Sequence, residues 1–324
     1  MKSHAIIPLF IPHEGCPHFC VFCNQNSITA NDAPVTANEV SGIIETHLAT
    51  LKGRGLSTIE VAFYGGSFTG LPMERQSEFL EIARFYKKRG SVDKIRLSTR
   101  PDCIDDDTLS NLERYVVDAI ELGAQSFDDG VLEKSCRGHD SNAICESSRM
   151  ILERGFELGL QLMSGLPGDS PEKSLRSARE LAGLRPQTAR LYPTVVLDGT
   201  ALSEMRESGE YTPPSLRESI DTIKDMHRII SGAGITVMRV GLKNAGPHPA
   251  FRQLVESEIA RDEMEAALDT GKPSARFLSN GKSFSNLVGH CKSNKEHFRR
   301  KHPQIEFSYG IDESLPDGRY IVRQ

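Results

Sequence analysis

Apolar and polar positions repeat with two different periods along most of the chain. Short runs rich in β-branched and aliphatic residues predict strands at residues 5–10, 58–64, 94–99, 116–122, 157–163, 189–197 and 235–240. Segments in which apolar residues recur every three or four positions predict helices at residues 36–51, 74–88, 106–114, 142–153, 171–184 and 215–231. Strands that alternate with helices in this way predict an α/β fold with a parallel sheet and crossover helices.

The alternating pattern stops before the chain does. The last predicted strand ends near Gly241, and the turn-rich segment 244–249 follows it. One further helix is predicted at residues 251–268. We therefore predict two domains, a core at residues 1–241 and a small α/β appendage at residues 242–324.

Residues that could bind ligands or take part in catalysis cluster at the predicted strand ends. Open α/β sheets and barrels both bind ligands at the carboxyl ends of their strands. The segments that follow successive predicted strands are Cys16–Cys23, Gly65-Gly66, Arg100, Gln125 and Gly165. Because these ends meet at one edge of a parallel sheet, the sequence predicts a single active site built from several loops.

The chain has the composition of a water-soluble protein. No run of apolar residues approaches the ~20 that a membrane-spanning helix needs. The apolar stretch Ile6–Ile11 is short and is interrupted by Pro8, unlike the core of a signal peptide. We therefore expect the protein in the cytoplasm and without a membrane partner.

The seven cysteines are unevenly spaced, because Cys16, Cys20 and Cys23 fall within eight residues. A disulfide framework would be unusual in a long chain without a secretory signal. The CxxxCxxC spacing instead suits a 4Fe–4S cluster, since three thiolates can bind three irons of a cubane. The fourth iron would then be open to an external chelate, such as the amino and carboxylate groups of a methionine.

A structural zinc site is an alternative interpretation of the same cysteines. Zinc in structural sites takes four ligands, and His13 or His18 could supply the fourth. The chain would then be a non-enzymatic zinc-binding module. Iron and sulfide content, with the ultraviolet–visible absorption of anaerobically purified protein, would distinguish the two interpretations.

The cysteine loop and the strand-end segments together resemble the radical S-adenosylmethionine (SAM) superfamily. The similarity includes Phe22 before the last cysteine and extends over about residues 5–240. Further matching segments are Phe63–Ser67, Ser98–Pro101, Glu121–Ser126, Arg137–His139 and Met163–Gly168. The resemblance implies a partial (β/α)6 barrel, followed here by the small C-terminal α/β appendage.

The same resemblance implies two cofactors, a 4Fe–4S cluster on Cys16, Cys20 and Cys23, and SAM beside it. The residues that it implies for SAM binding are Phe22, Gly65, Gly66, Ser98, Gln125, Arg137 and Gly165. The implied chemistry is reductive cleavage of SAM to methionine and a 5′-deoxyadenosyl radical, which abstracts a hydrogen atom from the substrate. The electron would come from a donor such as flavodoxin or ferredoxin.

Within the superfamily, three segments resemble the catalytic subunit of Elongator, which modifies wobble uridines of tRNA. These segments are Ile7–His13, Tyr64–Pro72 and Leu132–His139. Two differences from that subunit argue against assigning its reaction to this chain. Cys16 and Cys20 are closer together than in that subunit, and the roughly 80 residues after Gly241 are too few for its acetyltransferase domain.

Oxygen-independent coproporphyrinogen oxidases and haem chaperones are an alternative branch of the superfamily. They share the CxxxCxxC spacing and the glycine-rich strand ends. They typically carry a tyrosine at the position of Phe22. Titration with haem or porphyrin would separate this branch from the Elongator-like one.

A basic segment at residues 271–303 suggests an RNA partner. It holds eight lysines and arginines and a single acid, Glu296, in a chain whose net charge is −5. We expect tRNA contacts from Lys292, Lys295, Arg299, Arg300 and Lys301, with base stacking on Phe277, Phe284, Phe298, His290 and His297. The alternative is a solvated basic face whose phenylalanines form the core of the appendage.

Overall fold

The computed structural model describes residues 4–11, 15–24, 35–242 and 247–324, so His13 lies outside the described residues. It divides into two compact units. The first comprises Met1–Pro213 and Ile229–Met238, and the second comprises Pro214–Arg228 and Arg239–Gln324. None of the helices within the described ranges is long and apolar enough to cross a bilayer.

The main sheet has seven strands arranged in their order along the chain. They are β1 (His4–Ile11), β2 (Thr58–Gly65), β3 (Lys94–Thr99), β4 (Ala119–Gln125), β5 (Glu157–Ser164), β6 (Thr188–Pro193) and β7 (Thr236–Val240). Neighbouring strands from β1 to β6 pair in parallel. The predicted partial barrel of strand–helix repeats is therefore confirmed.

Helices connect the successive strands. They are α1 (Ala37–Leu51), α2 (Met73–Lys88), α3 (Asp106–Arg114), α4 (Asp129–Lys134), α5 (Ser141–Glu153), α6 (Pro171–Leu184), α7 (Ala201–Glu207) and α8 (Leu216–Gly232). Side-chain caps begin several of them. Thr36 and Glu39, for example, form a capping box at the start of α1.

The two faces of the sheet carry different chemistry. Aliphatic residues such as Val61, Ile95 and Ile120 have no exposed surface, as expected for the core side of strands covered by helices. Their strand neighbours point to the opposite face and carry charges. There, two buried ion pairs join adjacent or nearby strands, Arg96 Nε to Glu60 Oε1 and Arg190 Nε to Glu121 Oε2, each at 2.8 Å. A polar inner face leaves room for ligand-binding groups.

Several predicted boundaries in the first unit are wrong. β4 begins at Ala119, because Val116 has a φ of 52° and a left-handed residue cannot continue a strand. β6 ends at Pro193, four residues before the predicted end. The short helices α4 and α7 were not predicted, since each is shorter than the segment needed to establish a helical period.

The second unit contains a separate three-stranded sheet. Its strands β8 (Ser274–Ser279), β9 (Glu306–Ile311) and β10 (Ile321–Arg323) lie in the order β10-β8-β9. β8 pairs in parallel with β9 and antiparallel with β10. The unit also contains helices α9 (Phe251–Ala267), α10 (Phe284–Val288) and α11 (Ser293–Lys301), together with the part of α8 up to Arg228. The small C-terminal α/β appendage is thus present, although its sheet was not predicted strand by strand.

Candidate active site

A cavity lies at the carboxyl ends of the strands of the first unit. It is lined by the loop that contains the three clustered cysteines and by residues that end or follow β2, β3 and β4. Six of the seven residues implied for SAM binding line it together with Cys16, Cys20 and Cys23, namely Phe22, Gly65, Gly66, Ser98, Gln125 and Arg137. The cavity thus brings together segments that are more than a hundred residues apart in the sequence.

Hydrogen bonds and close backbone contacts anchor the cysteine loop. Val21 donates its N–H to the carbonyl of Ser135 at 3.2 Å and accepts at its own carbonyl from Leu202 N–H at 2.8 Å. At the start of the loop, Gly15 has a φ of 77°, and a Cβ there would lie 2.2 Å from the carbonyl oxygen of Ser67. Contacts with other segments of the first unit therefore fix the position of the loop.

Phe22 connects the loop to the apolar core. Its half-buried ring packs against the buried side chains of Val131, Met163, Leu166 and Tyr192. It also contacts a second buried group formed by Val21, Leu202 and Tyr211. Phe22 therefore anchors the cysteine loop to the apolar core, and it also lines the cavity.

Two arginines approach the sulfur of Cys20. Arg137 Nη1 donates to Cys20 Sγ at 3.0 Å, and Arg100 Nη1 lies 3.8 Å from the same sulfur. Both arginines are about 95% buried. Both guanidinium groups thus direct an N–H at the sulfur of a proposed cluster ligand. Arg100 was predicted to lie at this edge of the sheet, but no cofactor contact was predicted for it.

His139 helps to orient Arg137. Burial and the neighbouring Arg137 cation lower the pKa of His139 to about 4. The ring is therefore neutral near pH 7, and its Nε2 accepts from Arg137 Nε at 3.3 Å. Arg137 also donates through Nη2 to the carbonyl of Gly123 at 2.6 Å. These contacts fix the guanidinium while leaving Nη1 directed at Cys20.

The three clustered cysteines differ from a nearby fourth one. Burial raises the pKa of the Cys103 thiol to about 11, with the Asp102 carboxylate as the next cause, so Cys103 stays protonated near neutral pH. Cys16 Sγ instead contacts the hydroxyl of Ser67 at 3.8 Å. The clustered sulfurs line an open cavity, whereas the Cys103 thiol is poorly suited to act as a thiolate ligand.

No three His, Cys, Asp or Glu side chains in the described ranges converge as the ligands of one metal ion do. A cubane cluster makes a different demand, because each thiolate binds its own iron at a separate corner. The partly exposed sulfurs of Cys16, Cys20 and Cys23 share one cavity with cationic donors. The donor set therefore fits a cluster of several irons.

Polar groups of the inner sheet face form one wall of the cavity. Ser98 donates its hydroxyl to Glu121 Oε1 at 3.1 Å, and Gln161 Nε2 donates to Gln125 Oε1 at 3.0 Å. Gln125 has a φ of 66° at an irregularity at the end of β4. Neither Glu121 nor Gln161 was predicted as a site residue, although Glu121 begins one of the segments that resemble the superfamily.

Gly65 has a steric role within the sheet. Its φ is 110°, and a Cβ there would lie 2.4 Å from the carbonyl oxygen of Ile11. That carbonyl accepts from Gly66 N–H at 2.8 Å. A glycine at position 65 is therefore needed for the contact between β1 and β2, in addition to any contact with a ligand.

Gly165 is not among the residues that line the cavity. Its N–H donates to Asp169 Oδ2 at 2.8 Å, and its carbonyl accepts from the Tyr211 hydroxyl at 2.5 Å. The backbone of this loop is thus held by its own side-chain contacts. A role for Gly165 in SAM binding stays a prediction.

The family model of the radical SAM superfamily matches residues 10–181, more than half of the chain. The chain belongs to the radical SAM superfamily. A model of the radical SAM C-terminal domain matches residues 186–261. The cofactors of the family are a 4Fe–4S cluster and SAM. This radical SAM chain is accordingly an enzyme, and the alternative of a non-enzymatic zinc module is wrong.

Curated relatives support the Elongator-like resemblance. An uncharacterized protein of Methanocaldococcus jannaschii is 30% identical over 65% of this chain and 67% of its own length. Elongator complex protein 3 of Bos taurus is 27% identical over 68% of this chain and 48% of its own length. A tRNA uridine(34) acetyltransferase of M. jannaschii is 25% identical over the same shares. The radical SAM chain thus spans about half the length of the Elongator-type relatives.

Solved structures show the same fold. The archaeal Elp3 of Methanocaldococcus infernus, without its N-terminus, matches 82% of this chain and 63% of its own with a TM-score of 0.62 and 21% identity. Coproporphyrinogen III oxidase of Escherichia coli matches 72% of this chain and 53% of its own with a TM-score of 0.51 and 20% identity. At these identities the comparison concerns the fold alone.

Two of the aromatic residues of the basic segment, Phe277 and Phe298, are not available for base stacking. Phe277 and Phe298 have no exposed surface, and their ring centroids lie 4.7 Å apart in the core of the second unit. Phe284 packs against the same core. His297 pairs with Glu265 at 2.6 Å, and His290 contacts Gln253. The prediction of stacking by Phe277 and Phe298 is wrong, because the small unit needs their apolar surface for its own stability.

The five cations expected to contact RNA fall into two groups. Lys301 pairs with Glu265 at 2.7 Å, and Lys295 lies over the ring of Tyr309. The side chains of Lys292, Arg299 and Arg300 are exposed and make no hydrogen bond or ion pair within the described parts of the chain. A basic surface on and beside α11 therefore remains for a partner.

Proposed function

We propose that Cys16, Cys20 and Cys23 hold the 4Fe–4S cluster and that the adjoining cavity binds SAM. The observation that supports this proposal is that the three cysteines and six of the seven residues implied for SAM binding line the same cavity. When bound, the cluster supplies one electron to the sulfonium of SAM, which yields methionine and a 5′-deoxyadenosyl radical.

The residues of the chain provide complementary groups for SAM. Arg137 offers a fixed guanidinium for a carboxylate, and it already holds a buried position through Gly123 and His139. Ser98 and Glu121 offer a hydroxyl and a carboxylate of the kind that bind sugar hydroxyls. The backbone at Gly65 and Gly66 borders the cavity without side chains. We propose that these groups orient SAM and exclude water from it.

The cofactor assignment is tested by anaerobic reconstitution with iron and sulfide, followed by incubation with SAM and dithionite. We expect about one 4Fe–4S cluster per chain and the release of 5′-deoxyadenosine and methionine. Protein that takes up iron and sulfide but does not cleave SAM under these conditions would contradict the proposed reaction.

We further propose that the substrate is a tRNA. The support is the likeness to a tRNA uridine(34) acetyltransferase, together with the exposed cations on α11. Cations on a protein surface attract phosphates without a requirement for sequence. Because the relatives extend well beyond the matched region, the modification made here need not be theirs.

The substrate proposal is tested by substrate-dependent turnover. Reconstituted enzyme is incubated with SAM and dithionite, and with tRNA, coproporphyrinogen III or neither. We expect tRNA to raise the yield of 5′-deoxyadenosine and to acquire a new nucleoside mass. Stimulation by coproporphyrinogen III alone would replace tRNA with a porphyrin substrate.

An electron donor and a cellular location complete the proposal. An electron donor such as flavodoxin or ferredoxin would reduce the cluster in the cell. We place the protein in the cytoplasm, where a reducing environment keeps exposed thiols and an open iron site intact. The choice of donor is tested by exchanging dithionite for purified flavodoxin with its reductase, which should sustain SAM cleavage.

A further inference from the structure

Cys20 has a different environment from Cys16. Two buried guanidinium groups face its sulfur, from Arg137 at 3.0 Å and from Arg100 at 3.8 Å. The sulfur of Cys16 faces the neutral hydroxyl of Ser67 at 3.8 Å. Positive charge is thus directed at the sulfur of Cys20, whereas the contact given for the Cys16 sulfur is with a neutral group.

Arg100 is held in place by hydrogen bonds to neighbouring protein groups. Its Nε and Nη2 donate to the two carboxylate oxygens of Asp102, each at 2.9 Å. Nη2 also donates to the carbonyl of Arg137. A bidentate pair of this kind restricts a guanidinium to one orientation. The remaining nitrogen, Nη1, is therefore held in the direction of Cys20.

We propose that Arg100, oriented by Asp102, is a positioning residue that raises the reduction potential of the cluster by acting on the Cys20 sulfur. The inference rests on the proposed function, because it requires Cys20 to be a ligand. One-electron reduction adds one negative charge to the cluster and its thiolates. A nearby cation and an N–H directed at a ligand sulfur stabilise the more negative state, and so favour reduction.

A purely structural role for the Arg100–Asp102 pair leads to a different expectation. In that case, loss of the pair would lower the stability of the first unit and leave the potential of a fully loaded cluster unchanged. The potential itself is therefore the measurement that separates the two roles.

The test uses the full chain with a reconstituted cluster and no SAM, so that SAM binding has no influence. An EPR-monitored redox titration gives the midpoint potential of the parent and of Arg100→Gln. We expect the variant to have a more negative midpoint potential at an unchanged iron and sulfide content. Arg154→Gln is the matched control, since Arg154 bonds only to Asp106, Ser110 and Glu113 among the described residues, and it should keep the parent potential.

A second variant covers the case in which Arg100→Gln does not load a cluster because Asp102 is left unpaired. The double substitution Arg100→Gln with Asp102→Asn removes both charges and leaves no isolated carboxylate in the partly buried site. We again expect a more negative potential. A fully loaded variant, single or double, that titrates at the parent potential would overturn the inference.

The outcome is distinguishable from a failure of the proposed function. If the parent itself takes up no 4Fe–4S cluster, the cofactor assignment at Cys16, Cys20 and Cys23 fails. If the parent and the variants load equally and their potentials coincide, only the role of Arg100 is refuted.

Discussion

The cavity of the first unit and the surface around α11 in the second both gather cations, but they hold them differently. Arg100 and Arg137 are 4% and 5% exposed. Their guanidinium groups donate hydrogen bonds to the Asp102 carboxylate and to the carbonyl of Gly123, respectively. Arg299 and Arg300 are exposed, without a side-chain partner in the described parts of the chain. The first pair has a fixed direction, whereas the second pair contributes only positive potential.

This difference determines which kind of function each region supports. Burial of a guanidinium is costly unless hydrogen bonds compensate it, so a buried and oriented cation can act on one particular atom. An exposed cation is solvated and screened by salt, and it attracts phosphates without selecting among them. The cavity therefore supports specific chemistry, and the α11 surface supports general affinity for a polyanion.

The largest effect is expected from the cluster ligands. Replacement of Cys16, Cys20 or Cys23 by alanine should abolish the 4Fe–4S signal and SAM cleavage, because each removes the thiolate of one iron. Absorption and EPR spectra after anaerobic reconstitution measure the loss. The matched controls are Cys145→Ala and Cys291→Ala, which should load normally. A Cys16→Ala protein with a full cluster would refute the assignment.

The next effect tests whether the aromatic residues of the second unit are structural. Phe277→Ala should lower the free energy of unfolding by about 3–5 kcal/mol, since a fully buried ring would leave a cavity beside Phe298 and Phe307. Denaturant titration followed by circular dichroism gives the value. Phe284→Ala, at a half-buried ring, should cost less. Equal costs for the two variants would contradict this interpretation of the core.

A smaller effect is expected on SAM affinity. Gly66→Val introduces a branched side chain into the lining of the cavity and should weaken SAM binding about tenfold, or ~1.4 kcal/mol, at normal iron content. Isothermal calorimetry measures the affinity. Gly42→Val is the control, because a Cβ at this exposed position on α1 meets no atom within 4 Å. An unchanged affinity in Gly66→Val would remove this loop from the SAM site.

The smallest effect concerns the α11 surface. Glutamine at Arg299, Arg300 and Lys301 should weaken tRNA binding roughly two- to fivefold at physiological salt and flatten its salt dependence, because fewer counterions are released. Most of the effect should come from the two arginines, since Lys301 already pairs with Glu265. Filter binding at several salt concentrations measures it.

The control for this prediction carries the same charge change in the first unit, at Lys88, Arg89 and Arg149, whose side chains are exposed. That variant should bind tRNA like the parent, and both variants should retain full cluster content. If the α11 variant binds as tightly as the parent at low and physiological salt, tRNA does not contact this surface.

Local pattern was sufficient to predict the main architecture. The strand around Val61 is rich in β-branched and aromatic residues, and the strand around Ile95 alternates apolar with polar residues, so local sequence identified both. The predictions failed where the folded structure overrides the local preference of a residue, and where an element is too short to show a period. Val116 was assigned to a strand by its composition, but it adopts a left-handed turn after α3. The short strand β10 gave too few residues to show a period.

The sequence by itself determined the family chemistry, because CxxxCxxC and the strand-end motifs lie in continuous segments whose spacing can be read directly. Only the tertiary structure decided which side chains meet. Arg100 lies 80 positions and Arg137 lies 117 positions from Cys20, yet both reach its sulfur. It also decided that Phe277 belongs to a core while Arg299 faces solvent. Burial and side-chain direction depend on contacts between distant segments, and local spacing carries no record of those contacts.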